Sequence, residues 1–247
     1  MPKNCSAFPS TRWSIVLTVR EGRSAVDSRK ALEELCRVYW GPLYAYARRV
    51  GHLQPDAEDA TQSFFALILE RDILASADES LGRLRSYLIG AFNRHLSNIQ
   101  RHDDAIKRGG AHTIVSLEEM MEAERRYQNE PSHNVTPALL YEQRCAVEFI
   151  RAALKKLAEE QALAGKGPQF ELFRPSLDPM TEGHDNQALL AEQIGMSHEA
   201  IRVTLHRLRV RFRAILRDLV ADTLRNPTPE SVDEELRAML EALSNKG

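Results

Sequence analysis

Residues 189–217 read "LLAEQIGMSHEAIRVTLHRLRVRFRAILR". Apolar side chains recur every three or four positions, the period of an α-helix with one buried face, and a single glycine interrupts them. Ala191 is followed by Gly195 and then Ile201: a small residue where two helices touch, a glycine for a turn, and an aliphatic to lock a second helix. Leu190, Ile194, Ile201, Leu205 and Leu208 are expected to form the shared core, with Ser197 placed to cap the second helix. Glu199 falls one residue short of a capping box. Ile201, Leu205, Leu208, Phe212, Ile215 and Leu219 make one continuous stripe, so the arginines must take the remaining surface. From 197 to 217 there are six of them (Arg202, Arg207, Arg209, Arg211, Arg213, Arg217) against Glu199, a local charge of +5 in a chain of net charge -2. Basic side chains on such a helix suit phosphate contacts, while its first residues can reach base edges.

Working outward, the 247 residues are 43% hydrophobic and 28% charged, the balance of a globular chain with material for one domain or two small ones. The longest apolar run, "FFALIL" at 64–69, is far short of the roughly 20 residues a bilayer requires, and "MPKNCSAF" leads into no signal-peptide core. A cytoplasmic location without membrane insertion is expected. Cys5, Cys36 and Cys145 are odd in number and widely spaced, and the eight histidines are scattered, so neither disulfide framework, metal nor cofactor is implied. "GKG" at 165–167 lacks the rest of a phosphate-binding loop, and neither GxGxxG after a strand nor GxSxG occurs. The chain does not read as an enzyme.

Alternating β patterns are nearly absent, and the expected fold is all-α: two small helical domains joined by a linker, the second ending in the helix-turn-helix. Residues 1–30 form an N-terminal extension in which "STRWSIVLTVR" places Trp13, Val16 and Leu17 on one side. Residues 31–102 form the first domain, where Gly41-Pro42 marks a kink or break and Asp56 and Asp59 sit early in a helix. Leu84, Leu88, Ala91, Phe92, Leu96 and Ile99 line the core side of a further helix that is basic elsewhere. Residues 83–108 carry six basic side chains against Asp103 and Asp104, with Tyr87, Phe92, Asn93 and Asn98 interleaved, a mixture suited to unstacked bases as well as duplex. Residues 103–137 have the texture of an exposed linker with one short helix around Leu117–Arg126. Residues 138–225 form the second domain, and 226–247 an acidic tail helix expected to dock near it or to recruit a regulator.

Three segments carry a family resemblance. "DAEDATQSFF" (56–65) is similar to DAEDxxQxxF, "LRSYLIGAFNRHL" (84–96) to FRxWLxxIARNxL, and "IGMSHEAIRVTLHRLRVRFR" (194–213) to LGxSxxTVKxRLxRAxxxLR. In that order they resemble bacterial RNA polymerase sigma factors of the sigma-70 family, in the extracytoplasmic-function (ECF) group, over about residues 30–102 and 140–222. "TRWSIVL" and "RRYQNEP" look like a subgroup with longer termini. The resemblance implies a region-two-like and a region-four-like domain that bind core RNA polymerase and direct it to the minus-10 and minus-35 elements of promoter DNA. It puts Asp59 and Gln62 against the polymerase, Arg85, Tyr87, Asn93, Arg94, Asn98 and Arg101 near the minus-10 element, and Ser197, His198, Glu199, Arg202, His206, Arg207 and Arg209 at the minus-35 groove. Asn93-Arg94 reverses the family's usual basic-asparagine order and Asn98 stands where an acidic residue is common, so the minus-10 base read is left open. An anti-sigma protein or other regulator is an open partner, and the alternative function is a helix-turn-helix regulator that binds duplex DNA without polymerase.

Overall fold

In the computed structural model, the described residues are 25–70, 83–102, 116–129, 135–179, 187–224 and 226–245. The expected element around Trp13 lies outside them. Among them the chain is all-helical, with no strand beyond an isolated antiparallel bridge between Arg83 and Leu224. The helices are α1 (Ala25–Arg49), α2 (Gln54–Glu70), α3 (Leu84–His102), α4 (Leu117–Gln128), α5 (Pro137–Leu163), α6 (Gly167–Phe173), α7 (Gln187–Ile194), α8 (His198–Ala221) and α9 (Pro229–Ser244), with a 3-10 turn at Arg174–Ser176. No helix among the described residues is long and apolar enough to cross a membrane.

Two compact units divide the chain: Met1–Ala146 with Ala221–Gly247, and Val147–Val220. The division falls inside α5 rather than at 103–137, where the linker was expected, and the tail belongs to the first unit rather than standing apart.

In the first unit α1 packs on α2 and α4, and α2 on α3. Tyr39, Leu43, Tyr44, Phe64, Phe65, Leu84, Leu88 and Phe92 are fully buried. Phe64 and Phe92 meet edge to face at 5.1 Å, a geometry aromatic quadrupoles favour. The break expected at Gly41-Pro42 does not occur, because α1 runs through Pro42. Pro42 denies Val38 a helical donor, yet Tyr39, Trp40, Leu43, Tyr44 and Ala47 on either side are all buried, so packing holds the helix together. Gly51, at φ 109, then takes the left-handed conformation that ends it.

The short helix expected inside the linker is present as α4 but is docked, not merely exposed. A Ser116–Glu119 capping box starts it. Glu124, 6% exposed, accepts from Tyr44 Oη and from Arg48 Nε at 3.1 Å and Nη2 at 3.0 Å. Arg48 and Arg49 also lie over the Tyr127 ring at 5.0 and 5.8 Å.

The tail forms α9, opened by a Thr228–Ser231 capping box with Pro229 in the first turn. It was expected to dock near residues 138–225 or to recruit a regulator, and its observed contacts are with α3 and with the early turns of α5. Val232, Glu235 and Met239 are buried, and Gln143 Nε2 reaches the carbonyls of Ala242 and Asn245 at 3.0 and 2.8 Å. Glu235, 1% exposed, holds Arg85 in a two-pronged ion pair, Nε–Oε1 at 2.5 Å and Nη2–Oε2 at 3.1 Å, and Arg83 Nε at 3.1 Å. Glu142 pairs with Arg85 as well, and Tyr141 Oη donates to the Arg85 carbonyl at 2.9 Å.

The second unit comprises the later part of α5, then α6, α7 and most of α8. Gly165, at φ 72, ends α5, with Lys166 N–H returning to the Gln161 carbonyl at 2.8 Å. Phe149, Ile150, Ala153, Leu154 and Leu157 of α5 are buried, as are Phe170, Phe173 and Leu177 beyond it.

Candidate nucleic-acid interface

The interface starts from the turn between α7 and α8. Gly195 takes φ 70, and the N–H groups of Gly195 and Met196 both return to the Ala191 carbonyl, at 2.9 and 3.2 Å, closing α7. Ser197 then begins α8: its carbonyl accepts from Ile201 N–H at 3.0 Å and its Oγ from Ala200 N–H at 3.2 Å. Leu190, Ala191, Ile201, Leu205, Leu208, Ile215 and Leu219 are buried, with Ile194 and Phe212 half-buried. Gly195 thus supplies the turn, and Ala191 before it and Ile201 after it are both buried.

That buried stripe leaves Ser197, His198, Glu199, Arg202, His206, Arg207 and Arg213 exposed. Arg202 Nη2 meets Glu199 Oε1 at 2.9 Å on the surface, a pair that solvent leaves weak and exchangeable. Two other arginines are held within the unit. Arg209, half-buried, donates to the Ser176 carbonyl at 3.4 Å, and Arg211 forks onto Glu160 at 2.8 and 2.6 Å. That hydrogen-bonded fork holds the Glu160 carboxyl below its usual range despite partial burial. Reading the residue types alone passes over Val203 and Val210, which are 38% and 51% exposed on the same helix. The signal that finds them is the period of the buried stripe, since both lie opposite it.

On α3 the structure divides the expected minus-10 residues. Asn93, Arg94 and Asn98 are exposed together with Ser97, whose Oγ donates to the Asn93 carbonyl at 2.9 Å. Arg85 and Tyr87 are each 5% exposed, which takes them off that face. Arg85 is instead enclosed by Glu235 and Glu142, because a guanidinium among apolar side chains needs carboxylates to offset its lost hydration. Arg101 is in the last turn of α3, but its side chain is outside the described residues. At the far side of α3, His95 lies 5.6 Å from the Phe64 ring, with Nε2 2.9 Å from Ser63 Oγ, and burial pushes its pKa down.

Of the two residues assigned to the polymerase, Asp59 is exposed, whereas Gln62 is half-buried with its amide 2.9 Å from Met120 Sδ of α4. Among the described residues no three His, Cys, Asp or Glu side chains converge as metal ligands. Comparison with protein-family models, curated proteins and solved structures returns no match.

Proposed function

We propose that this chain is a sigma factor: it binds core RNA polymerase and directs initiation at promoters through minus-10 and minus-35 contacts. The observation that carries the reading is α8, which follows a tight Gly195 turn, is capped by Ser197, and presents His198, Arg202, His206 and Arg207 to solvent from its first three turns. A rigid helix whose exposed side is basic matches the shape and charge of a DNA major groove. The exposed Asn93, Arg94, Ser97 and Asn98 of α3 offer a second polar face, with amides and a guanidinium suited to an opened strand. Asp59 and Gln62 are the contacts proposed for polymerase.

Transcription from pooled promoter fragments tests this. Core polymerase plus the protein should initiate at one promoter class, and Asp59→Ala with Gln62→Ala should remove that initiation while leaving the fold intact. Retention of full activity in that variant removes the two residues from the account. An absence of initiation, accompanied by binding to duplex DNA alone, replaces it with a polymerase-independent regulator.

A further inference from the structure

We infer that Val203 is a direct sequence reader that recognises the C5-methyl group of thymine. The inference rests on the proposal that α8 reads duplex DNA, and it assigns that helix a base feature, the apolar methyl, that no charged residue on it recognises.

At about 100° per residue, the buried residues Ile201, Leu205, Leu208, Ile215 and Leu219 cluster with the half-buried Phe212 on one side of α8, and the opposite pole is occupied by Glu199, Val203, His206, Val210 and Arg217. The other arginines do not sit at that pole. Arg202, Arg209 and Arg213 run down one flank, Arg207 and Arg211 down the other. A helix that enters a major groove pole-first points its flanks at the two phosphate backbones and its pole at the base edges. With Arg209 and Arg211 held by Ser176 and Glu160, the exposed Arg202 and Arg213 on one flank and Arg207 on the other suit positioning, and base readout falls to the pole.

Exposure of a single valine carries nothing by itself, because isolated surface aliphatics are common. Val203 differs through its place. It lies on the second turn of α8, within the part of a recognition helix that reaches bases, flanked by Arg202 and Arg207. Val210 is about 10 Å further along the axis, where the helix rises away from the base edges. At the groove floor a branched alkyl group has neither donor nor acceptor, so the one feature it can recognise is the apolar methyl that thymine presents there. Facing the amino group of cytosine, it would leave that donor without water or partner.

The test uses one randomised duplex pool amplified with either dTTP or dUTP, so that two otherwise identical libraries differ in the methyl. Each is selected with the full chain, alone and with core polymerase, and with Val203→Ser. The expected result is a selected sequence in which one thymine is enriched from the dTTP pool and loses its enrichment in the dUTP pool. At that position the wild type should favour thymine over uracil by about fourfold, the worth of one buried carbon group. Val203→Ser should remove that preference without altering the rest of the selected sequence, and its thermal midpoint should match the wild type, as expected for a surface change. A thymine preference that persists in uracil DNA, or that survives Val203→Ser, overturns the inference while leaving DNA reading intact. Failure to select any sequence from either pool overturns DNA reading itself and the inference with it.

Discussion

Replacing Glu235 by alanine should destabilise the first unit severely. The carboxylate is 1% exposed and holds Arg85, itself 5% exposed, through contacts of 2.5 and 3.1 Å. Removing one partner of a buried pair typically costs about 3–5 kcal/mol, because the remaining charge stays desolvated. Glu142 still faces Arg85, which sets the expected loss near the low end, about 3 kcal/mol. The Arg83 contact adds little, since that side chain is 43% exposed. Trp40, 2% exposed in α1, reports on this unit, and a Trp13→Phe background makes it the lone tryptophan. With a urea slope of about 2 kcal/mol/M, the fluorescence midpoint should fall by about 1.5 M. Glu230→Ala, on an exposed turn of the same helix, should change stability by less than about 0.5 kcal/mol. Arg85→Met with Glu235→Met should recover part of the loss, since it removes the buried pair's desolvation cost but leaves the Glu142 carboxylate without Arg85. If Glu235→Ala and Glu230→Ala unfold at the same midpoint, the buried cluster does not anchor α9 and the reasoning fails.

Two further outcomes follow from the first unit. Hydrogen bonds from Tyr44, Gln128 and Arg48 outweigh burial and hold the Glu124 carboxyl below its usual range, so Glu124→Gln should release α4. Its amides should then exchange about tenfold faster while those of α3 are unchanged, and equal exchange would show that α4 is held by something else. His95 is pushed down by burial, so the unfolded chain takes up its proton first. Its contribution to stability is complete above the unfolded value of about 6.5 and is lost as pH falls from there toward the lower folded value. Thermal midpoints measured through that window should decline in the wild type and flatten in His95→Gln, whereas parallel curves would remove His95 from the pH response.

The helices were legible wherever burial follows a period. Ile201, Leu205, Leu208, Ile215 and Leu219 announce the inner side of α8, as Leu84, Leu88, Phe92 and Leu96 do for α3, and both sets are buried. The glycine turn at Gly195 was equally plain, since its left-handed φ is one that few other residues adopt readily. Charge was harder to place. Arg85 looks like any surface arginine until Glu235, 150 positions away, is found beside it. Glu124 belongs to a segment whose composition suggests solvent, yet its carboxylate is the buried anchor of α4. Local pattern reports which side of a helix is apolar but not which distant charges meet. Pro42 reversed a local rule for the same reason: the buried aromatics around it outweigh one missing helical donor.

The central claim is that this chain works as a subunit of RNA polymerase, and co-elution with bacterial core enzyme on a sizing column tests it most directly. In moderate salt the protein should shift to the elution position of the core enzyme, and Asp59→Ala with Gln62→Ala should return it to its own. A protein that elutes alone at every ratio of core enzyme, while its circular dichroism shows it folded, would contradict the claim.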